Sequence, residues 1–381
     1  MSGETGRRGV LDDVRVADFS RVLAGPYATM ALADFGADVL KIESPSGDDT
    51  RHWHPPIDAD GTATYFGSVN RNKRSVALDL TRDSDRDQAL RLAGTADVLI
   101  ENFRPGVMER FGLGFHAVRA VNPGIVYCSI TGFGTGAGAS LAGYDLLVQA
   151  VGGLMSITGD PEGSAAKAGV ALVDVLCGQN AVAGILLALR ERDRTGLGQR
   201  VEINLLQSLL SALTNQAAST LATGIPPRRL GNEHPSIAPY ALFRAADREL
   251  VIAVGNDKQF RALAEALGQS PLATDPCFLR NTDRVAHRDE LTALLEHELA
   301  RADAADWVER FRAAGIPAGL VHDVAEAIAF ADGLGLDPVV DLGASRTIAN
   351  PIRLGDAPAA YRTPPPALND SASAAWHTER P

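Results

Sequence analysis

Cysteine is scarce in this chain of 381 residues, which contains only Cys128, Cys177 and Cys277. Three scattered thiols exclude a disulfide framework, and they also exclude a zinc site built from cysteine pairs. This cysteine usage is typical of a reducing compartment. We therefore expect a cytoplasmic protein.

Positive charge and long apolar runs are also in short supply. The 36 lysines and arginines are outnumbered by 47 aspartates and glutamates, which gives a formal net charge of -11. This balance argues against a protein-wide role in binding nucleic acid or membranes, although it leaves room for a local basic pocket. The longest apolar run, at 181–189, is too short to span a bilayer, and residues 1–9 lack the apolar core of a secretory signal. We expect a soluble protein with a disordered tail over residues 1–9.

Several catalytic motifs are missing as well. The sequence contains no H-E-x-x-H, G-x-S-x-G or G-x-x-x-x-G-K-[ST] pattern. We therefore predict no metal site. The stretch at 132–137 matches the G-x-G-x-x-A pattern of dinucleotide-binding loops, but no helical pattern starts directly after it and no acidic residue follows at the required distance. We interpret it as a glycine-rich turn.

The sequence does contain a regular alternation of strand and helix patterns, which is typical of an α/β domain with a parallel, Rossmann-like sheet. We predict one large α/β domain of this kind over residues 10–224. Its predicted strands are 14–19, 38–43, 75–80, 97–100, 125–130 and 200–204. Its predicted helices are 27–35, 83–94, 146–154, a helix that follows Asp174 and ends near 194, and 205–223.

A change of composition at residues 224–229 predicts a linker to a second domain. Beyond it lie a predicted hairpin, four helical patterns and a short strand, which indicate a smaller α+β domain over residues 225–335. Residues 336–381 are rich in alanine and proline, and we expect them to return to the large domain as irregular chain. The hairpin and helices are predicted at 238–243 with 250–254, and at 257–267, 288–301, 304–314 and 323–331.

Asp174 stands alone among apolar and small residues, directly before the apolar run at 181–189. Burial of an unpaired charge is costly, so this carboxylate needs a partner or a purpose. One interpretation is a helix N-cap, which accepts backbone N–H bonds. The other is a carboxylate nucleophile that the same helix start keeps ionised. From the residues alone, both interpretations stay open.

A second concentration of charge lies at residues 71–74, where the sequence reads Arg-Asn-Lys-Arg directly before a predicted strand. Such a group is usually a solvated turn. In an acidic protein, a basic group beside a strand end is also suited to holding a phosphate. From the residues alone, both interpretations of this stretch stay open.

Seven segments, in order, resemble the class III coenzyme A transferases, the relatives of formyl-CoA transferase and of the carnitine CoA-transferases. The resemblance is strong over residues 10–225 and looser over 226–355. The segments are DFSRVLAGP at 18–26, FGADVLKIE at 35–43, NKRS at 72–75, ENFRPG at 101–106, GYD at 143–145, the stretch around Asp174, and TGLGQRV at 195–201.

The resemblance implies an acyl-CoA:carboxylate CoA-transferase. In that family the aspartate that matches Asp174 attacks an acyl-CoA thioester and forms an aspartyl anhydride, and CoA then converts it to an aspartyl-CoA thioester. An acceptor acid reverses these steps. Coenzyme A and acyl-CoA are substrates rather than bound cofactors, and the resemblance also implies an interlocked, ring-like homodimer. The helix start is expected to keep Asp174 ionised.

The resemblance also implies a set of CoA-binding residues. Asn102, Phe103 and Arg104 match the segment that contacts the nucleotide end, and Arg110 matches a position that contacts phosphate. Ser44 and Thr81 stand where formyl-CoA transferase has basic residues, so some phosphate contacts must differ. The other matching positions are Val22 and Leu23 near the first helix, Leu78, Asp79 and Leu80 in a CoA-contacting strand, and Tyr144 and Asp145 of the GYD segment.

Two alternatives are carried beside the transferase. The α-methylacyl-CoA racemases look similar but have histidine as an α-proton base where this chain has Tyr144, and a phenol is a poor base at pH 7. The transferase is therefore favoured over the racemase. The second alternative is a non-catalytic acyl-CoA-binding relative. For Tyr144 and Asp145, the purely structural interpretation is a helix-capping pair packed in the core.

Overall fold

The structure is a computed structural model that describes residues 9–343, 345–371 and 375–376. The described chain divides into two compact units. The larger unit takes the chain up to Leu154, then Ala168–Ile225, and the part from Leu336 onward, whereas the smaller unit takes Met155–Lys167 and Pro226–Gly335. Residues 1–8 of the predicted tail lie outside the described residues.

The prediction of one uninterrupted domain over 10–224 is wrong for residues 155–167, which belong to the smaller unit. The Arg229 guanidinium donates hydrogen bonds to the carbonyl oxygens of Asp160, at 3.0 Å, and Gly163, at 2.9 Å. These bonds join residues 155–167 to Arg229, which lies more than sixty positions further along the chain. Local sequence patterns do not contain that information.

Six parallel strands form the central sheet of the larger unit: β1 Arg15–Asp18, β2 Asp38–Glu43, β3 Lys73–Ala77, β4 Val98–Glu101, β5 Val126–Thr131 and β6 Arg200–Asn204. Their order in the sheet is β3-β2-β1-β4-β5-β6. The predicted parallel sheet is therefore confirmed. The order reverses between β1 and β4, so the connections that leave these two strands run apart and open a crevice at their carboxyl ends.

Helices cover both faces of this sheet. Val16 of β1 packs in one apolar cluster with helices α1 and α8, whereas its neighbour Ala17 packs in another cluster with α3 and α5. Burial on both faces is why these strands read as nearly continuous apolar runs. The helices up to Thr223 are α1 Ala24–Asp34, α2 Thr64–Gly67, α3 Asp83–Thr95, α4 Val107–Arg110, α5 Phe115–Val121, α6 Asp145–Val151, α7 Leu154–Ile157, α8 Leu172–Thr195, α9 Leu205–Ala212 and α10 Thr214–Thr223. All of α7 except Leu154 belongs to the smaller unit.

Helix α8 carries Asp174 in its first turn. By length and composition α8 could cross a membrane. One face of it, which includes Val173, Ala181 and Ile185, is buried in the core with the sheet and α1, whereas Leu186 and Leu187 are exposed. A Cβ atom on Gly178 would lie 2.7 Å from the carbonyl oxygen of Ala24. The close approach of α8 to α1 therefore requires glycine at this position.

Both interpretations of the basic stretch 71–74 are wrong, because its side chains are buried and paired. The Arg71 guanidinium lies 2.7 Å from the Asp34 carboxylate, and Lys73 Nζ lies 3.2 Å from Asp18 Oδ2. Arg71 and Lys73 are each about 2% exposed. They hold the edge of the sheet to α1 and β1 instead of facing solvent or a ligand.

The smaller unit contains the antiparallel sheet β7-β8-β9, and its predicted hairpin is confirmed. Helix α12 is an addition to the prediction. The strands are β7 Tyr240–Arg244, β8 Glu249–Ala253 and β9 Ala318–Leu320. The helices are α11 Asp257–Ala266, α12 Asn281–Ala286, α13 Arg288–Leu299, α14 Ala304–Ala313 and α15 Val324–Gly333, and short 3₁₀ turns occupy Asp49–His52 in the larger unit and Ser270–Ala273 in the smaller.

The C-terminal segment is more regular than its composition indicates. Instead of irregular chain, β10 Val339–Leu342 and β11 Ser345–Ile348 form an antiparallel hairpin. Gly343, with φ of +81°, supplies the left-handed turn residue that this hairpin needs. Further on, the Ala360 N–H donates a hydrogen bond of 2.7 Å to the carbonyl of Asp34, so this segment packs on the end of α1.

Candidate active site

A cleft of about 210 Å³ opens at the carboxyl ends of β1 and β4, at the point where the strand order reverses. Ligands of open parallel sheets bind in this position. The cleft brings the candidate nucleophile together with most of the candidate binding residues. Those that line it are Val22, Leu23, Asn102, Phe103, Arg104, Tyr144, Asp145 and Asp174.

Asn102 holds the loop that follows β1. Its Oδ1 accepts a hydrogen bond of 2.8 Å from the Arg21 N–H, and its Nδ2 donates one of 2.7 Å to the Arg21 carbonyl. The next residue, Val22, has φ of +67°, which is rare for a β-branched residue. Because the Asn102 amide is engaged on both sides, it positions the rim of the cleft.

Buried charged side chains hold the loop that follows β1 in place. Lys41 Nζ lies 2.9 Å from Asp48 Oδ2 and donates a hydrogen bond of 2.9 Å to the Ser20 carbonyl. The Val22 N–H in turn points to the Asp48 carboxylate at 3.2 Å. Burial alone raises the pKa of Asp48, but the Lys41 ammonium and hydrogen bonds from Thr50 bring it down to about 2. Asp48 is therefore an ionised, fully used anchor.

Asp174 is the third residue of α8 and is not its N-cap, because Ala171 occupies that position. None of the described residues donates a hydrogen bond to the Asp174 carboxylate. Burial, followed by the charge of Asp145, raises the pKa of Asp174 to about 7. A pKa of about 7 leaves the group only partly ionised near neutral pH, because desolvation and the like charge of Asp145 oppose the helix start that was expected to keep it ionised.

The cap of α8 comes from a different helix. Asp145, the first residue of α6, accepts hydrogen bonds on Oδ1 from the N–H groups of Val173, at 2.8 Å, and Asp174, at 3.2 Å. A carboxylate at a helix N-terminus satisfies otherwise unpaired donors and faces the positive end of the helix dipole. Asp145 thus takes the capping role that one of the two interpretations gives to Asp174, and Asp174 is left to face the cleft.

Gln149 extends this support to the segment before α8. One turn after Asp145 on α6, its Nε2 donates a hydrogen bond of 2.6 Å to Asp145 Oδ2, while its Oε1 accepts one of 2.8 Å from the Ala168 N–H. Gln149 is completely buried. Together the two side chains hold the chain from Ala168 to Asp174 at both ends.

The remaining wall of the cleft is built by the glycine-rich loop between β5 and α6 and by an aromatic pair. A Cβ atom on Gly132 would lie 2.4 Å from the Cα of Gly143, so the two ends of the loop touch backbone to backbone. Trp53 also lines the cleft, and its ring packs edge-on against Tyr65 with 5.0 Å between centroids. The loop is a wall that ends at the GYD segment, in agreement with its interpretation as a turn.

A second cleft of about 190 Å³ lies next to the first, and Arg21 and Phe103 line both. Leu78, Asp79 and Leu80 line the second cleft, as do Ser44 and Thr81. The prediction that residues 78–80 belong to a strand is wrong, because β3 ends at Ala77. They lie just beyond the strand end, where side chains and backbone can face a ligand.

Two predicted residues are placed differently from the rest. Arg110 is exposed at the end of α4 and does not line either cleft. Tyr144 is 69% exposed, so its interpretation as a residue packed in the core is wrong, although it directly precedes α6 and lines the cleft. Asp145 does cap a helix, but that helix is α8 and not its own.

Sequence reasoning did not single out Arg21, Gln149 or Trp53 as site residues. Arg21 follows a buried strand directly, which is the one signal in the sequence that points to the cleft. Gln149 lies four residues after Asp145, the spacing that places two side chains on one face of a helix. Trp53 carries no comparable signal, because it lies in a loop rich in proline and histidine.

The geometry is suited to group transfer on a carboxylate. Asp174 has a desolvated oxygen that faces the cleft, which favours nucleophilic attack once the group is ionised. Within the described residues no group of three or more His, Cys, Asp or Glu side chains could hold a metal ion.

The doubly wound sheet, with the Asp174 carboxylate in the cleft at its switch point, places the protein in the α/β class. The model of CoA-transferase family III matches residues 11–371 of the chain. The chain belongs to CoA-transferase family III, and it is a CoA-transferase, as the resemblance implies.

Named relatives cover nearly the whole chain. It is 41% identical to a succinate–glutarate CoA-transferase of Agrobacterium fabrum, covering 97% of this chain and 96% of that one. It is 40% identical to an acetyl-CoA:oxalate CoA-transferase of Acetobacter aceti, covering 91% and 90%. Among solved structures, a CaiB/BaiF family protein from Brucella suis has a TM-score of 0.88 and 42% identity, covering 96% of this chain and 98% of that one. These likenesses support the α/β fold and the transferase class together.

Proposed function

We propose that the protein moves coenzyme A from an acyl-CoA donor to a free carboxylic acid, with Asp174 as the nucleophile. The observation that carries the proposal is the Asp174 carboxylate, which faces the switch-point cleft without a described hydrogen-bond donor while Asp145 satisfies the helix start behind it. A structural aspartate would use its oxygens at that helix start. Asp174 does not, and this leaves them for chemistry.

The first half of the reaction builds an enzyme thioester. An Asp174 oxygen attacks the thioester carbonyl carbon, the C–S bond breaks, and CoA leaves as a thiolate while a mixed anhydride forms. The thiolate then attacks the Asp174 carboxyl carbon, the anhydride C–O bond breaks, and the donor acid leaves as a carboxylate. The product is an aspartyl-CoA thioester, in which the energy of the original thioester is retained.

The second half reverses these steps with the acceptor. The acceptor carboxylate attacks the Asp174 carboxyl carbon and expels the CoA thiolate, which gives a new anhydride. The thiolate then attacks the acyl carbon of the acceptor, and Asp174 leaves as a carboxylate. Protons and electrons balance without water, metal or a redox cofactor. Exclusion of water matters, because water would hydrolyse either intermediate.

Coenzyme A is proposed to lie across both clefts, with its thioester at Asp174 and its nucleotide end in the second cleft. Phe103 lines both, which makes it a suitable contact along the way. Arg104 lines the first cleft, and Leu78, Asp79 and Leu80 offer strand-end contacts in the second. Arg110 is proposed only as a contact at the outer end of the ligand.

The substrates are proposed to be short dicarboxylic acids and their CoA thioesters. The support is that the named relatives act on acids of this kind, including succinate, glutarate and oxalate. We also propose, from the family resemblance, a cytoplasmic homodimer with interlocked chains. Size-exclusion chromatography with light scattering tests the dimer, and a monomer would contradict it.

The experiment that tests the function is a transfer assay with an Asp174→Asn variant. Succinyl-CoA and acetyl-CoA are offered as donors against glutarate, oxalate and mesaconate, and the new acyl-CoA is measured by mass spectrometry. The wild type should transfer CoA to at least one acceptor, and Asp174→Asn should lose about a thousandfold or more of that rate. Asp193→Asn, a change to an exposed carboxylate near the end of the same helix α8 and outside both clefts, is the matched control.

A variant that keeps its rate would remove Asp174 from the mechanism. The racemase alternative is tested in the same preparation with a 2-methylacyl-CoA in deuterated water and no acceptor. Exchange of the α-proton under these conditions would favour the racemase. The transferase predicts no exchange.

A further inference from the structure

The second cleft has an unusual charge balance for a site that is proposed to hold a phosphorylated ligand. Its charged lining residues are Glu43, Asp48, Asp79 and Arg21, so Arg21 is the one lysine or arginine among the described residues that line it. Ser44 and Thr81, where the family resemblance leads one to expect basic residues, line the same cleft. A cation for the phosphates has to come from elsewhere in the sequence.

Arg21 lies where the two clefts meet. It lines both, and the only other residue that does so in the two lining sets is Phe103. The Arg21 guanidinium lies over the Phe103 ring, 5.1 Å from its centroid. This stacking orients the planar group while leaving its N–H edges available to donate two hydrogen bonds to an anion.

The side chain of Arg21 is also uncommitted, in contrast to other arginines of the larger unit. Its partner is Asp49 at 3.6 Å, and the two side chains are 48% and 61% exposed, so this pair contributes little. Arg51, by comparison, lies 2.7 Å from Glu43 and is largely buried. The backbone of Arg21 is nevertheless fixed, because Asn102 binds both its N–H and its carbonyl.

We propose that Arg21 binds a phosphate group of the CoA thioester at the junction of the two clefts and so replaces the cations missing at Ser44 and Thr81. This inference rests on the proposed function, because it needs CoA to lie across both clefts. A guanidinium matches the geometry of a phosphate through two parallel N–H···O bonds. Asp49 is the counter-ion that the phosphate displaces.

The test is a ligand series measured by calorimetry on the wild type and on Arg21→Gln. The ligands are CoA, 3′-dephospho-CoA and pantetheine. Arg21→Gln should weaken CoA binding about tenfold or more, since a hydrogen-bonded charge pair is lost, and should change pantetheine binding less than twofold. If the loss is absent for 3′-dephospho-CoA, the contact is with the 3′-phosphate. If the loss persists there, the contact is with the diphosphate.

Arg119→Gln is the matched control, because Arg119 is also exposed and stacks on a phenylalanine ring, 5.6 Å from the centroid of Phe115, outside both clefts. It should leave CoA binding unchanged. Arg21→Lys keeps the charge without the planar fork and should lie between Arg21→Gln and the wild type. Unchanged CoA binding in Arg21→Gln, or equal weakening of CoA and pantetheine, would overturn the inference. Failure of the wild type to bind CoA would instead contradict the proposed function.

Discussion

The region around Asp18 and the cleft around Asp174 each place an aspartate away from solvent, but they treat it in opposite ways. Asp18 accepts hydrogen bonds from Ser20 and Thr29 and lies 3.2 Å from the Lys73 ammonium. Burial by itself raises the pKa of Asp18, but Lys73 and Lys41 bring it below its ordinary value. Asp174 has no comparable partner, and its pKa rises to about 7.

Within one unit, hydrogen-bond donors distinguish the structural carboxylate of Asp18 from that of Asp174, which is proposed to react. Every oxygen of Asp18 has a donor, so its negative charge stabilises the fold and is unavailable for chemistry. The donors at the start of α8 are satisfied by Asp145 instead of Asp174. The folded protein therefore keeps the free-energy cost of burying the Asp174 charge, as is common in active sites.

The largest effect is expected when the well-paired aspartate is disturbed. Asp18→Asn leaves the buried Lys73 ammonium without its counter-charge, and we expect the free energy of unfolding to fall by about 3–5 kcal/mol. Denaturant unfolding at pH 7 measures it. Asp49→Asn, which removes an exposed ion pair with Arg21, should change stability by less than about 0.5 kcal/mol. Equal losses in the two variants would mean that the buried pair has no special role.

The opposite sign is expected for the aspartate of the cleft. Because its folded pKa lies above its unfolded pKa, the folded state holds the proton longer, and Asp174 lowers stability as the pH rises from about 4 to about 7. Asp174→Asn should therefore stabilise the protein at pH 8, by about 1–3 kcal/mol, and the gain should shrink toward pH 4. Thermal unfolding at both pH values measures it. A lower melting temperature at pH 8 would show that the Asp174 charge supports the fold.

A smaller effect is expected from Asp145, which is a positioning residue that acts through Asp174. Asp145→Asn keeps an oxygen for the N–H groups of Val173 and Asp174 but removes the negative charge that helps raise the pKa of Asp174. The acid limb of kcat/KM, expected near pH 7 for the wild type, should move to lower pH by about one unit.

Asp49→Asn is again the control, because Asp49 lines the same cleft without being a source of the Asp174 shift. Its acid limb should stay in place. A purely structural role for Asp145 would lower the rate at all pH values and leave the limb unmoved. That outcome would mean that the charge of Asp145 does not raise the pKa of Asp174.

The strands can be predicted from the sequence, because burial on both faces of the sheet produces apolar runs that are visible without knowing what packs against them. The position of Asp174 can also be predicted, from its isolation among apolar residues and from the family resemblance. The partners of the buried charges cannot be predicted in this way. Lys73 reaches Asp18 across 55 positions, and Asp145 reaches the start of α8 across 28. Such pairings exist only once the sheet has brought distant segments together.

The same limit explains the two misjudged charges. Asp174 has a suitable position for a cap, and only the structure reveals that a residue of α6 already occupies the donors. The basic stretch 71–74 has a suitable composition for a phosphate site, but Asp34 and Asp18 neutralise it in the core. A charged residue beside a buried element predicts that it has a partner, but the sequence does not identify which residue that partner is.

The central claim is that Asp174 carries the acyl group and then CoA, and trapping tests it most directly. The enzyme is incubated with a donor acyl-CoA without acceptor and treated with hydroxylamine, which converts an activated carboxyl group to a hydroxamate. Peptide mass spectrometry then locates the modified residue. We expect a hydroxamate on Asp174 that forms only with the acyl-CoA and disappears in Asp174→Asn. A hydroxamate on another residue, or none under conditions where CoA transfer proceeds, would contradict it.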